Sequence, residues 1–255
     1  QDAPCEIWLL RLKNTGDTPR ALEIRTYFEW LLGAAPDWHR EFHRTFIATE
    51  YDADLGALLA TKLLWELPVE SKAHWNRSWN YVAFHSASLA PDGFDADKRG
   101  FLGRHGDLRQ PQALLDGATH NRAGRWSDPI GSLKLSVTLK PGETREIAFT
   151  LGAADDRAQA SDIVERFRLL DTVRAALDKT RAFWRTITTR LTVETPDPAI
   201  NRLANGWLQY QAIAGRLLGR TAYYQTGGAY GFRDQLQDSL VGLLLAMPEK
   251  PLEQI

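Results

Sequence analysis

The apolar residues of this chain repeat with a period of two up to about residue 152 and with a spacing of three to four thereafter. A period of two lines one face of a strand, and a three-to-four spacing lines one stripe of a helix, so a single switch between them predicts a sheet-built part followed by a helical one. Glu6–Leu12 and Leu22–Trp30 alternate on either side of the turn cluster Asn14-Thr15-Gly16-Asp17-Thr18-Pro19 and read as a hairpin. Arg44–Tyr51 and Ala57–Leu64 repeat the pattern around Asp52-Ala53-Asp54-Leu55-Gly56, and Trp79–Ala87 reads as a further strand. Leu133–Leu139 alternates and turns at Pro141-Gly142 into Thr144–Leu151, a last hairpin. Successive strands with turn signals predict a β-sandwich over residues 1–152. Between the strands, Asp92–Asp128 is rich in Gly, Asp and Arg, lacks periodicity and exceeds the usual connection length. Either a functional loop or a loose surface excursion fits it.

Residues 153–193 predict a helical linker. Asp162 followed by Glu165 resembles a capping box, and Ile163, Phe167, Leu170, Val173 and Leu177 trace a stripe continued by Phe183, Trp184 and Ile187. Leu191-Thr192-Val193 reads as a short extended segment, after which Asp197-Pro198 supplies a cap with proline at the first helical position. A new domain is therefore expected over 194–255. Its first helix would carry Ile200, Leu203, Ala204, Trp207, Leu208, Ala214 and Leu217 on one face. A second, after Gly227–Gly231, would carry Leu236, Leu240, Leu243, Leu244 and Met247 and end before Pro248. Two helices leave an apolar face without cover, and the chain opens on Gln1 rather than Met, so both termini are treated as provisional.

Composition removes several classes of function. Lys and Arg number 31 against 32 acidic residues, interspersed, so no basic field exists to draw in nucleic acid or anionic lipid. No apolar run approaches the roughly 20 residues of a membrane helix, and the first ten residues lack a signal-peptide pattern. The single cysteine, Cys5, has no internal disulfide partner, which points to a reducing cytoplasm. His39 and His43 lie four apart, but no third ligand is spaced to join them, so no metal site is expected. Nine tryptophans exceed what a core of this size usually requires, and either sugar-stacking platforms or plain core filling accounts for them.

The chemistry is concentrated in Gly227–Asp238, which reads G-G-A-Y-G-F-R-D-Q-L-Q-D. In a helix starting near Phe232 or Arg233, the side chains of Asp234, Gln237 and Asp238 share one face, Arg233 lies on an adjoining row, and the leucines are expected opposite. Such a cluster suits a pyranose. Carboxylates accept from neighbouring hydroxyls, a guanidinium fork donates to two oxygens, and Tyr230 and Phe232 can cover apolar ring faces. A purely structural use is equally open, with Asp234 at the helix N-terminus and Arg233 paired to Asp238. The two carboxylates do not suit a glycosidase dyad, because side chains four apart on one helix approach too closely to flank a sugar and a water.

Tyr223-Tyr224-Gln225-Thr226 followed by G-G-A-Y-G-F-R-D-Q-L-Q-D resembles the signature of glycoside hydrolase family 94, the inverting phosphorylases that include cellobiose, chitobiose and β-1,2-oligoglucan phosphorylases and the phosphorylase-like region of cyclic β-1,2-glucan synthases. Asn205-Gly206-Trp207, Tyr210-Gln211, the E-I-W-L-L-R-L-K-N start and the Leu133–Gly152 segment are similar to the family as well, and G-F-R-D leans toward its β-1,2-glucan branch. The resemblance implies a β-sandwich, an α-helical linker and the first helices of an (α/α)6 barrel. It implies that Arg233 and Asp238 hold the donor sugar, with Asp234 and Gln237 as weaker candidates. It further implies inorganic phosphate as co-substrate with no other cofactor, a β-linked gluco-oligosaccharide as substrate, and a homodimer in the full-length parent. The family's general acid sits in a G-D-W-N-D motif that this chain lacks before Ile255, so it is expected downstream and the chain by itself is expected to be inactive. Asp37-Trp38, followed by His39, is no substitute. A glucan-binding or assembly module without catalysis, and a chain-length-controlling region of a cyclic glucan synthase, are the alternatives.

Overall fold

The computed structural model describes residues 3–33, 44–63, 79–214, 237, 239–242 and 244–253. The chain divides into two compact units, Gln1–Arg174 and Ala175–Ile255.

The described strands of the first unit are β1 (Cys5–Lys13), β2 (Arg20–Arg25), β3 (Phe28–Glu29), β4 (Ile47–Asp52), β5 (Ala57–Lys62), β6 (Trp79–Ala87), β7 (Gly93–Asp97), β8 (Pro129–Leu139) and β9 (Thr144–Ala154). One antiparallel sheet runs β1-β9-β6-β5-β4. In the other, β8 is flanked by β2 and β3 on one side and by β7 on the opposite side. The core lies between them: Leu58, Ile147 and Phe149 of the first sheet pack with Phe94, Leu133, Leu135 and Val137 of the second. Each such side chain contributes about 1.5–3 kcal/mol on burial. The sheet-rich part that the alternation predicts is present.

Two of the predicted hairpins are not hairpins. β1 pairs with β9, from Cys5 opposite Gly152 to Lys13 opposite Thr144, whereas β2 pairs with β8 in the other sheet. The segments 14–19 and 140–143 therefore each cross from one sheet to the other, stacked as two arches. Asn14 ties the arches together. It is buried, and its Nδ2 donates to the carbonyls of Thr18 (2.8 Å) and Leu139 (3.0 Å). Its Oδ1 accepts from Gly16 N–H, its own N–H donates to Glu143, and its carbonyl accepts from Gly142 N–H. Alternation assigns residues to a face but is silent about the partner strand, which is why the sequence pattern suggested neighbours. The β4–β5 hairpin stands as read, with Gly56 at φ 58 and Asp52 Oδ1 accepting from Leu55 N–H at 3.0 Å.

The stretch 92–128 is neither loose nor structureless. It holds β7, α1 (Lys98–Leu102) and α2 (Gln112–Asp116), and it is anchored on a buried carboxylate. Asp95 accepts from Arg25 Nη1 at 3.3 Å and from His120 N–H at 2.9 Å, while Arg25 Nη2 reaches Ala118 O at 2.8 Å. Asn121 completes the anchor by exchanging hydrogen bonds with the backbone of Phe94. β7 is buried along four of its five residues, so it carries no alternation for a sequence pattern to detect.

After β9 come α3 (Arg157–Arg168) and α4 (Leu170–Thr188), the predicted helix pair. The predicted capping box is misplaced. The helix starts at Arg157, capped by Asp156, whose side chain accepts from Gln159 N–H, and Gln159 Oε1 accepts from Asp155 N–H. Asp162 is a helix-interior residue. Ala160, Ile163, Val164 and Phe167 are buried, with α3 lying against β6 and β9, and Arg157 bridges Glu50 and Asp52 of β4. Phe183, placed in the buried stripe by spacing, is 50% exposed.

In the second unit, Asp197 caps α5 (Pro198–Arg202) with Pro198 at the first position, as read. A π turn, Leu203–Trp207, follows and leads into α6 (Leu208–Gln211). The described positions between 237 and 244 are helical, and α7 spans Glu249–Leu252. A small core of Ile187, Ile213, Leu245 and Met247 is joined by Trp184 and Val241. The predicted apolar face lies without cover among the described residues, as expected of two helices: Ile200, Leu203, Trp207 and Leu208 are all about half exposed. Leu240 and Leu244 are exposed too, and the row that packs inward is Val241 and Leu245.

Candidate functional site

The second unit closes its helical run from 237 with a definite stop. Ala246 turns into the left-handed region at φ 51, and Arg190 donates from Nη1 to the carbonyls of Leu245 (3.0 Å) and Ala246 (2.8 Å). A guanidinium there satisfies helix-end carbonyls and complements their partial negative charge. Upstream, Asn205-Gly206-Trp207 forms the end of the π turn, and Tyr210 packs edge-on against Trp184 with ring centroids 4.7 Å apart.

Of the residues singled out for sugar contact, Gln237 is described: it is helical and exposed. By helical spacing it shares its side of the helix with Leu240 and Leu244, which are exposed as well, so the expected separation of polar residues from leucines does not hold at these positions. Tyr230, Phe232, Arg233, Asp234 and Asp238 lie outside the described residues, as do Tyr223–Thr226, Asp37, Trp38, His39 and His43. Among the described residues, no group of three His, Cys, Asp or Glu could hold a metal, and no helix is long and apolar enough to cross a membrane.

The first unit has polar features of its own, and they are committed to the fold. His85 is fully buried between the sheets, ringed by Trp8, Phe28 and Phe149. Its Nε2 lies 2.8 Å from Thr26 Oγ1, which itself accepts from Leu133 N–H, and its Nδ1 lies 3.1 Å from Thr150 O. The carbonyl requires Nδ1–H as donor, and with the ring kept neutral by its burial Nε2 accepts from the threonine hydroxyl. Burial lowers the imidazole to about 4. This is a polar tie between sheets, with no path to a substrate. Tyr27, pushed up to about 12 by burial and then by Glu29, is likewise no acid near neutrality. Two open pockets of about 480 and 430 Å³ flank α1 and α2; the first is floored by Tyr27 and Phe101 and the second is edged by Asp97, Arg99, Arg104 and His120. Asp97 is already occupied there, capping α1 through Arg99 N–H and Gly100 N–H. Four described tryptophans, Trp30, Trp79, Trp126 and Trp184, pack in or against cores, whereas Trp207 is 57% exposed.

Comparison with known proteins decides the family. Residues 1–169 match the glycosyl hydrolase 94 supersandwich domain, and residues 183–255 match the catalytic domain of the glycosyl hydrolase 94 superfamily. The chain belongs to glycosyl hydrolase family 94. Within that family it is 34% identical, over 94% of its length, to the cyclic β-(1,2)-glucan synthase NdvB of Rhizobium meliloti. It is 28% identical over 92% of its length to the solabiose phosphorylase of Paenibacillus borealis, and 24% identical over 92% to the N,N'-diacetylchitobiose phosphorylase of Vibrio furnissii. The chain spans 28% of the length of each of these two phosphorylases and 8% of NdvB. The run Gly227–Asp238 falls inside the match to the catalytic domain.

Proposed function

We propose that this chain is the N-terminal part of an inverting glycoside phosphorylase that cleaves a β-linked gluco-oligosaccharide with inorganic phosphate to give an α-sugar 1-phosphate. The observation that carries the reading is the paired family 94 match, with G-G-A-Y-G-F-R-D-Q-L-Q-D inside its catalytic portion. In this reading residues 1–152 are the sandwich, 153–193 the linker and 194–255 the start of an (α/α)6 barrel. Arg233 and Asp238 hold the donor sugar, supported by Asp234, Gln237, Tyr230 and Phe232. Phosphate arrives as an anion and attacks the anomeric carbon from the face opposite the β-linkage, so inversion follows and no protein base is needed. A carboxylic acid must still protonate the departing oxygen, and donors must orient the phosphate; both are assigned to residues beyond Ile255. The parent is read as a cytoplasmic homodimer using no cofactor other than phosphate.

The test is phosphorolysis of β-linked glucobioses by the 255-residue chain and by the protein extended downstream, with the anomer of the product read by phosphorus and proton NMR. Release of α-sugar 1-phosphate by the extended protein alone is the expected result. Glucan binding by both forms with turnover by neither would instead make this a binding or assembly module. A second reading has its own support: identity is higher to NdvB than to the phosphorylases, which favours a region of a cyclic β-1,2-glucan synthase. That reading predicts that loss of Arg233 and Asp238 changes the length of the glucan made, measurable by mass spectrometry of the products.

A further inference from the structure

Residues 191–195 lie between α4 and α5 and belong to no helix or sheet. Their backbone is nevertheless bonded, and by side chains. Val193 N–H donates to Asn205 Oδ1 at 2.7 Å while Asn205 Nδ2 donates to Val193 O at 2.8 Å. One step along, Thr195 N–H donates to Asn201 Oδ1 at 2.7 Å and Asn201 Nδ2 donates to Thr195 O at 2.9 Å. On the other side, Gln209 Nε2 donates to Leu191 O at 2.9 Å. A carboxamide presents the same C=O and N–H as a peptide group, so each asparagine exchanges two bonds with one residue as a neighbouring strand would.

The spacings explain why such a ladder is possible. Alternate residues of an extended chain present their polar groups to one side, about 6.6 Å apart. Residues four apart on a helix rise about 6 Å. Helix positions 201, 205 and 209 thus match 195, 193 and 191, running in the opposite direction. A regular α-helix would spoil the match sideways, because four residues overshoot a full turn by about 40° and two such steps by about 80°. Between Asn201 and Gln209 lies the π turn, Leu203–Trp207, with Leu208 N–H bonded to Leu203 O. Its wider winding takes fewer degrees per residue and removes the overshoot. Gln209 Nε2 also donates to Ala204 O at 3.0 Å, covering a carbonyl inside the π turn.

We propose that Asn201, Asn205 and Gln209 form a side-chain clasp that stands in for a partner strand along residues 191–195, and that the π turn exists to keep the three amides in one row. This segment, near the start of the catalytic match, is then held by polar rungs that open singly, since Leu191, Thr192 and Glu194 are exposed and Val193 and Thr195 only half buried.

Amide hydrogen exchange on the full 255-residue chain tests this. Val193 and Thr195 should be protected while Thr192 and Glu194 exchange freely. Asn205→Leu should speed Val193 at least about ten-fold and leave Thr195 slow, and Asn201→Leu should do the reverse. Deleting Gly206 should close the π turn and free the side-chain amide protons of Gln209. Gly206→Ala should change none of these, because an added Cβ there meets nothing within 4 Å. Uniform exchange across 192–195 in the unmodified chain, or a Gly206 deletion that leaves Gln209 protected, would overturn the proposal; the first reading needs no variant to fold.

Discussion

The two units bury their apolar residues to different degrees. In the first, Leu58, Leu133 and Ile147 are fully enclosed between two sheets whose turns are interlocked at Asn14. In the second, Trp207, Leu208, Leu240 and Leu244 are half exposed or more, and the segment 191–195 is held by amide side chains. Among the described residues, similar apolar content thus accompanies an enclosed core in one unit and a small one in the other, the first being covered by a second layer of sheet.

Substitutions can break that contrast, and the largest effect belongs in the sandwich. Phe84→Ala, at a site with no exposure, should cost about 3–5 kcal/mol in denaturant unfolding of the first unit. Acid is the next lever. The folded pKa of His85, about 4, lies below its unfolded value, so the unfolded chain takes up the proton first. Stability is then complete above pH 6.5 and falls by about 3 kcal/mol as the pH drops from 6.5 to 4. His85→Asn, which keeps a donor near Thr150 O without titrating, should flatten that slope. Asn14→Ala leaves the carbonyls of Thr18 and Leu139 without their donor and should cost about 1–3 kcal/mol in the same unfolding measurement. At the small end, Leu244→Ser, at a residue 70% exposed, should shift the stability of this chain by less than about 0.5 kcal/mol. A large loss there would mean the leucine row is covered after all.

What was legible in the sequence followed the same division. Strands with one buried face, such as β4 and the end of β8 at Ser136–Leu139, announced themselves by alternation. β7 and the start of β8, buried on both faces, did not. Partner choice was invisible because Asn14 and the crossing turns set it, and neither leaves a periodic trace. On the helices, spacing found the α3–α4 pair and the uncovered apolar row at 200–208, but at 240–245 it named Leu240 and Leu244 where Val241 and Leu245 pack inward, since coverage depends on neighbours that a period cannot specify. The asparagine ladder carried a readable signal, amides at 201, 205 and 209, but its meaning depends on a π turn that propensity does not reveal. For the sugar site, the signature run supplied the residues, and of these the described structure places Gln237 on an exposed helical row.

The most direct measurement of the central claim is kcat/KM for phosphorolysis of a β-linked glucobiose by the downstream-extended protein, comparing Arg233→Ala and Asp238→Ala with Gln237→Ala. If the first two hold the donor sugar, each should fall by about a hundred-fold or more while Gln237→Ala stays within a few-fold of the unmodified protein. Unchanged turnover in Arg233→Ala and Asp238→Ala would contradict the assignment of this run to the donor subsite.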